Sequence, residues 1–99
     1  MAPGRKRYLV AYDIRDDKRL RRVHKTMKGY GWSMQYSVFV CDLDAMELTS
    51  MKTDLGRLIH HALDSIAVID LGEPSERGRR CFTFMGIAPQ IPEAGPVVL

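Results

Sequence analysis

Residues 8–19 read Tyr-Leu-Val-Ala-Tyr-Asp-Ile-Arg-Asp-Asp-Lys-Arg, an apolar run that is followed at once by charge. The apolar part is typical of a β-strand, and it ends on the carboxylate of Asp13. The charged part opens a strongly basic helix, in which Asp16 or Asp17 can cap the free backbone N–H groups. The junction therefore places a candidate metal ligand beside a surface suited to phosphate groups.

The basic residues are concentrated near one end of the chain. Residues 5–28 hold 10 of the 15 lysines and arginines and only three acids, which gives this segment a charge of +7. Residues 29–99 hold five basic residues against nine acids, a charge of −4, so the net charge of +3 conceals a polarised molecule. Such polarisation favours a polyanion as the partner.

Length and composition limit the class of protein. Ninety-nine residues fit one domain, and 45% apolar with 27% charged residues is typical of a globular chain. No apolar run approaches the roughly 18 to 20 residues of a membrane span, and the first residues lack a secretory signal, so we expect no membrane association and a cytoplasmic location. Cys41 and Cys81 have no Cys-x-x-Cys spacing and are expected to be reduced core residues.

Periodicity predicts alternating strands and helices. Asp44 and Glu47 have the spacing of a capping box at the start of the second helix. In chain order we expect a strand at 8–14, a helix at 17–28, one bent strand or two short strands at 32–43, a helix at 45–62, strands at 65–71 and 79–85, and a Pro-rich tail at 86–99.

This order predicts an α+β fold, a split β-α-β arrangement with an antiparallel sheet and both helices on one face. Residues 1–85 form the domain. The strands are apolar on both sides, since Leu9 and Ala11 alternate with Val10 and Tyr12. Two helices cover only one side, so we predict a homodimer packed through the open sheet face.

Several motifs occur together at a specific spacing. They are Tyr12-Asp13-Ile14, Asp16-Asp17-Lys18-Arg19, Tyr30-Gly31 and Gln35-Tyr36-Ser37-Val38-Phe39. In a chain this short, the combination resembles the second CRISPR-associated protein family over roughly residues 7–85. The matching motif positions are Tyr12, Asp13, Arg19, Arg22, Gln35, Ser37 and Phe39.

The resemblance implies a ferredoxin-like βαββαβ homodimer, here with an extra C-terminal strand at 79–85. It implies a protein that bridges copies of the CRISPR integrase, the first CRISPR-associated protein, so that fragments of invading DNA are inserted as new spacers in antiviral defence. Some members of the family are described as metal-dependent nucleases that act on single-stranded RNA or duplex DNA.

Asp13 is the candidate catalytic residue and metal ligand. A carboxylate at the end of an apolar run loses solvent unless a positive charge compensates it. Mg²⁺ needs only one or two protein carboxylates, so two Asp13 side chains that meet across a dimer axis could hold it for phosphodiester hydrolysis. The alternative is that Asp13 caps the turn or pairs with Arg15 or Arg19.

The candidate nucleic-acid-binding residues are basic and lie in two clusters. Contacts from such residues to the phosphate backbone give affinity without sequence reading. The alternative is a solvated helix face. The candidates are Arg15, Lys18, Arg19, Arg21, Arg22, Lys25 and Lys28 in the first cluster, and Arg77 and Arg79, with Arg80 beside them, in the second.

Aromatic residues near the glycines Gly29 and Gly31 offer a further possibility. Tyr30, Trp32 and Tyr36 could stack on bases, although aromatic residues beside a glycine turn more often close the edge of a core.

Three functions remain open from the sequence. The first is a dimeric scaffold that binds duplex DNA, or RNA, and the integrase, with the Pro-rich tail at 86–99 as the segment that holds the partner. The second is a Mg²⁺-dependent endonuclease with Asp13 as its essential ligand. The third is a regulatory dimer that senses a small molecule and needs no basic stripe.

Overall fold

A computed structural model describes residues 4–92 of the chain. Through the fourth strand the elements follow one another in the predicted order. They are β1 (Lys6–Asp13), α1 (Asp17–Met27), β2 (Trp32–Gln35), β3 (Val38–Leu43), α2 (Ala45–Leu58), β4 (Ser65–Gly72) and a short α3 (Arg77–Arg80). Residues 93–99 of the predicted tail lie outside the described residues.

The four strands form one antiparallel sheet in the order β2-β3-β1-β4. The first strand lies in the middle, between β3 and β4, so the two βαβ halves interleave as in ferredoxin-like folds. The predicted α+β class is confirmed. The segment 32–43 is two strands, joined by a tight turn at Tyr36 and Ser37.

Local hydrogen bonds set the start of each long helix. The Asp16 carboxylate accepts from the Arg19 backbone N–H at 2.9 Å, which caps α1. Asp44 and Glu47 form the predicted capping box at the start of α2, each side chain accepting from the other residue's backbone N–H. The prediction of this box is confirmed, but α2 ends at Leu58 rather than at 62.

The core lies between the helices and one face of the sheet. Its members are apolar side chains that alternate along β1 and β3 and recur at helical spacing in α1 and α2. They are Val10, Tyr12, Val23, Met27, Phe39, Cys41, Leu43, Met51 and Leu55. Burying a side chain such as Phe39 stabilises the fold by about 1.5–3 kcal/mol relative to leaving it in water.

Neither α1 nor α2 packs on the opposite face of the sheet. Leu9, Ala11, Val38 and Ile69 lie on it, because they pair across the strands out of phase with the core residues. Leu9, Ala11 and Val38 are partly exposed, and Ile69 is 45% exposed. The middle of this open face is therefore apolar and partly accessible in the protomer, although Val40, which pairs with Leu9, is fully buried.

The strand predicted at 79–85 is not present, and this prediction is wrong. Residues 77–80 form α3, and 81–92 are irregular. Gly78 packs so tightly that a Cβ there would lie 3.0 Å from Cβ of Arg7, and its carbonyl accepts from Arg7 Nη1 at 3.1 Å. The segment after β4 thus packs on Arg7 and does not pair with the free edge of β4. Phe82 and Phe84 then stack on each other, with ring centroids 5.8 Å apart.

Within residues 4–92, no helix has the length and apolar character that a membrane crossing requires.

Candidate nucleic-acid interface

Asp13 lies at the end of β1, where it pairs with Ser65 at the start of β4. Its side chain is 63% exposed, and its Oδ2 lies 3.1 Å from Nη2 of Arg15, which is 66% exposed. The expectation that this carboxylate loses solvent is wrong for the protomer, since the strand ends at the rim of the sheet rather than inside it. The pairing with Arg15 that we held as an alternative does occur.

A buried carboxylate, Asp64, holds the loop beside this rim. It accepts from the backbone N–H of Arg15 at 2.8 Å and of His60 at 2.8 Å. The Arg19 side chain donates to both of its oxygens, from Nε at 2.7 Å and from Nη2 at 3.1 Å. These contacts tie the β1–α1 loop to the loop before β4, and with it the backbone that carries Arg15.

The electrostatics of Asp64 follow from these bonds. The hydrogen bonds from Arg19 hold the pKa of Asp64 well below its usual range, against the opposing effect of burial, and the amides of Arg15 and His60 act in the same direction. Sequence reasoning missed Asp64 because its partners are 45 and 49 residues away. The only local signal in the sequence is that Asp64 is an acidic residue directly before the apolar strand β4.

The ten basic residues of 5–28 divide into two equal groups. Five are in ion pairs with carboxylates, and five are not in any salt bridge within residues 4–92. The pairs are Arg5–Glu47, Lys6–Asp70, Arg7–Asp42, Arg15–Asp13 and Arg19–Asp64. The others are Lys18, Arg21, Arg22, Lys25 and Lys28, all exposed on α1 or directly after it.

The five cations without a salt bridge form what we call the α1 stripe, defined as Lys18, Arg21, Arg22, Lys25 and Lys28. Four of them line one shallow groove, Lys28 being the exception. Helical spacing places Arg21 next to Lys18 and Lys25, so three like charges adjoin, with the Asp17 carboxylate four residues before Arg21 beside them. Such an arrangement is costly in water and becomes favourable when an anion binds to it.

The second basic cluster lies at the other end of the sheet. Arg77 and Arg79 belong to α3 and are exposed, and Gly78 between them contacts Arg7 near the start of β1. Six residue-to-residue steps of extended chain separate Arg7 from Asp13, which is about 20 Å. The structure therefore does not bring the second cluster together with Asp13 within one protomer.

The motif residues lie around the turn between β2 and β3. Tyr12 donates its hydroxyl to the Tyr36 carbonyl at 2.8 Å and its backbone N–H to the Ser37 carbonyl at 3.0 Å. Burial raises the pKa of Tyr12 to about 12. Phe39 is fully buried in the core, whereas Gln35 is exposed at the end of β2. Tyr12, Ser37 and Phe39 thus join the turn to the core beside Asp13.

A resident divalent metal does not fit the residues of one protomer. Within residues 4–92, no group of three or more His, Cys, Asp or Glu side chains could hold an ion. Asp13 contributes one carboxylate, and that carboxylate already faces the Arg15 guanidinium. Mg²⁺ is held by one or two carboxylates with waters and substrate phosphates, so further oxygen ligands would have to come from outside the protomer.

Comparison with known proteins identifies the family. The family described as CRISPR associated protein Cas2 matches residues 6–78. A relative from Thermodesulfovibrio yellowstonii, named CRISPR-associated endoribonuclease Cas2 2, is 41% identical over 86 residues, which are 87% of this chain and 89% of that protein.

Two solved structures share the fold. The hypothetical protein TT1823 from Thermus thermophilus superposes with a TM-score of 0.75 and 31% identity, over 88% of this chain and 98% of that one. Cas2 from Streptococcus pyogenes superposes with a TM-score of 0.72 and 33% identity, over 81% of this chain and 99% of that one. With the family match covering most of the described residues, the chain belongs to the Cas2 family of CRISPR-associated proteins.

Proposed function

We propose that this chain is the dimeric scaffold of a CRISPR spacer-acquisition complex, which holds duplex DNA on the α1 stripe and leaves the integration chemistry to the CRISPR integrase. The observation that carries the proposal is the division of the basic residues. Carboxylates within the protomer neutralise half of them, while the α1 stripe retains its charge on an exposed face.

Phosphate contacts are the interaction that this stripe favours. Neighbouring cations on a helix repel one another, and binding a polyanion relieves the repulsion and releases counterions. The α1 stripe follows one helix axis, so it matches a repeating backbone rather than a compact anion. The contacts give affinity without reading the bases, which suits a protein that must accept fragments of any sequence.

A second copy of the chain is the proposed occupant of the open sheet face. Leu9, Ala11 and Val38 are partly exposed there and Ile69 is 45% exposed, although Val40 on the same face is fully buried. A two-fold dimer buries the same patch of both copies and presents two α1 stripes. Two stripes lengthen the surface available to a double helix.

The test compares two double variants that each remove two positive charges from an exposed helix face. Arg21→Ala with Lys25→Ala removes them from the α1 stripe, and Lys52→Ala with Arg57→Ala removes them from α2. We measure how duplex DNA binding depends on salt as the slope of log K against log salt concentration. We expect the magnitude of this slope to fall by about 2 in the α1 variant and to stay unchanged in the α2 variant.

The measurement is a fluorescence anisotropy titration over a range of salt concentrations. Circular dichroism of both variants provides the folding control. Equal changes of slope in the two variants would mean that only net charge matters and would overturn the stripe as the binding surface. Absence of duplex binding by the native chain at low salt would overturn the scaffold itself.

An endonuclease is the second candidate. Asp13 is exposed at the rim beside Arg15, where a phosphodiester can reach it, and the relative from T. yellowstonii is named an endoribonuclease. In this candidate, the Asp13 carboxylates of two protomers would hold Mg²⁺ together with substrate phosphates. Asp13→Asn separates the candidates, because only the endonuclease requires the carboxylate.

A further inference from the structure

Three rings form a column from the core to the surface at the turn between β2 and β3. Phe39 is fully buried, and the His24 ring meets it at 69° with centroids 5.2 Å apart. Tyr36 lies parallel to His24, with centroids 4.2 Å apart and an angle of 4° between the rings. Tyr36 is 52% exposed, so its ring has one face on His24 and presents the other to solvent.

Hydrogen bonds fix this column in place. The Tyr36 carbonyl accepts from the Tyr12 hydroxyl at 2.8 Å, and it lies 3.0 Å from Nδ1 of His24. The same Nδ1 lies 3.1 Å from the Tyr12 hydroxyl, so the hydroxyl, the imidazole and the carbonyl form one hydrogen-bonded cluster. The exposed ring is thus held in one orientation by its own backbone and by its stacking partner. An aromatic surface that is ordered in advance loses little entropy on binding a ligand.

Cations flank the column. His24 belongs to α1, and helical spacing puts Arg21 and Lys28 of the α1 stripe three residues before and four residues after it. Asp13 follows Tyr12 at the same rim of the sheet. A strand whose phosphates contact the α1 stripe would therefore have its bases within reach of the Tyr36 ring.

We propose that Tyr36 is a stacking platform for an unpaired nucleobase. The inference rests on the proposed function, in which the α1 stripe binds phosphates, and it adds the class of nucleic acid: a single strand, or a duplex with an unpaired end. Bases inside a duplex stack on each other and offer no free face to a protein ring. Stacking on one aromatic face tolerates every base, as does backbone binding by charge.

The experiment uses strands that differ only in their bases. A short oligothymidylate and an abasic sugar-phosphate strand of the same length have the same charge, and their binding is measured by anisotropy at one salt concentration. We expect Tyr36→Ala to bind the oligothymidylate about tenfold more weakly than the native chain. We expect Tyr36→Phe to retain native affinity and the abasic strand to bind all three proteins equally.

Tyr36→Leu is the matched control, since it still covers His24 but has no aromatic face. Native affinity of Tyr36→Leu for the oligothymidylate would overturn the stacking platform. Equal weakening of both strands by Tyr36→Ala would also overturn it, because the ring would then only position α1. If the native chain bound duplex DNA but neither single strand, the stacking platform would fail and the proposed function would stand. If it bound neither the single strands nor duplex DNA, the proposed function itself would fail, which distinguishes the two failures. Thermal unfolding of each variant shows that the fold is intact.

Discussion

The two ends of β1 carry the same pair of residue types with opposite surroundings. At its start, Arg7 donates to Asp42 through Nε at 2.8 Å and Nη2 at 3.0 Å, with side chains 0% and 11% exposed. At its end, Arg15 meets Asp13 at a single distance of 3.1 Å, and both side chains are about two-thirds exposed. One pair is part of the interior, and the other is a surface feature.

The difference between these pairs shows what burial does to an ion pair. Arg7 also donates to the carbonyls of Gly78 and Pro92 and lies 5.2 Å from the centroid of the Trp32 ring, so it fastens the C-terminal segment to the sheet. Water screens the Arg15–Asp13 pair, which is worth little and can be exchanged for a phosphate or a cation. The buried end maintains the fold, and the exposed end is available for binding.

Arg7→Met should have the largest effect on stability. It leaves the Asp42 carboxylate without its buried counter-ion and frees two carbonyls, so we expect a loss of about 3–5 kcal/mol in the free energy of unfolding. Urea denaturation measures it. The double variant Arg7→Met with Asp42→Leu should recover much of the loss, since no buried charge then remains unpaired. A native midpoint for Arg7→Met alone would show that the pair does not stabilise the fold.

Asp64→Asn should have the second largest effect. The amide keeps one acceptor oxygen but loses the charge that binds Arg19, so the β1–α1 loop is held less firmly. Asp64 has a lowered pKa in the folded state, so its contribution is complete above the unfolded value of about 4 and disappears as the pH falls through the folded value. The melting temperatures of native and variant chains should therefore differ at neutral pH and converge below about pH 4.

Asp16→Asn is the matched control for that experiment. Asp16 also has a lowered pKa, from its bond to the Arg19 backbone N–H, but it lies on the surface and acts only as a helix cap. We expect it to change the melting temperature less than Asp64→Asn does. A difference between native and Asp64→Asn chains that stays constant down to acid pH would contradict the role assigned to the Asp64 charge.

The sequence predicted the parts of the fold that depend on near neighbours. The starts of α1 and α2 follow from Asp16 and from the pair Asp44 and Glu47, which bond three residues ahead. The end of α2 did not follow, because the Asp64 carboxylate takes the His60 N–H while it is held by Arg19 from the far side of the molecule. A helix end fixed by such a distant residue leaves no periodic signal.

The same limit applies to the site. Asp13 and the basic residues were visible as residue types, but their pairing was not, since Arg19 and Arg21 look alike in a sequence. The fold alone separates Arg19, which binds Asp64, from Arg21, which is in no salt bridge within residues 4–92. The wrong strand at 79–85 has a similar cause: the stretch is rich in apolar and aromatic residues, but its first residues belong to α3, whose Gly78 is bound by the distant Arg7.

Asp13→Asn should have the smallest effect on stability, and it sharpens the contrast between the two ends of β1. Both members of the pair are largely exposed, so we expect the free energy of unfolding to change by less than about 0.5 kcal/mol. Because the fold survives, any loss of function arises at the site and not from unfolding. If spacer acquisition with the integrase persists in Asp13→Asn, the scaffold stands. If cleavage of RNA or DNA by the native chain disappears in Asp13→Asn, the endonuclease stands. The variant Arg15→Gln, which neutralises the other member of the pair, then tests whether the loss concerns substrate binding rather than chemistry.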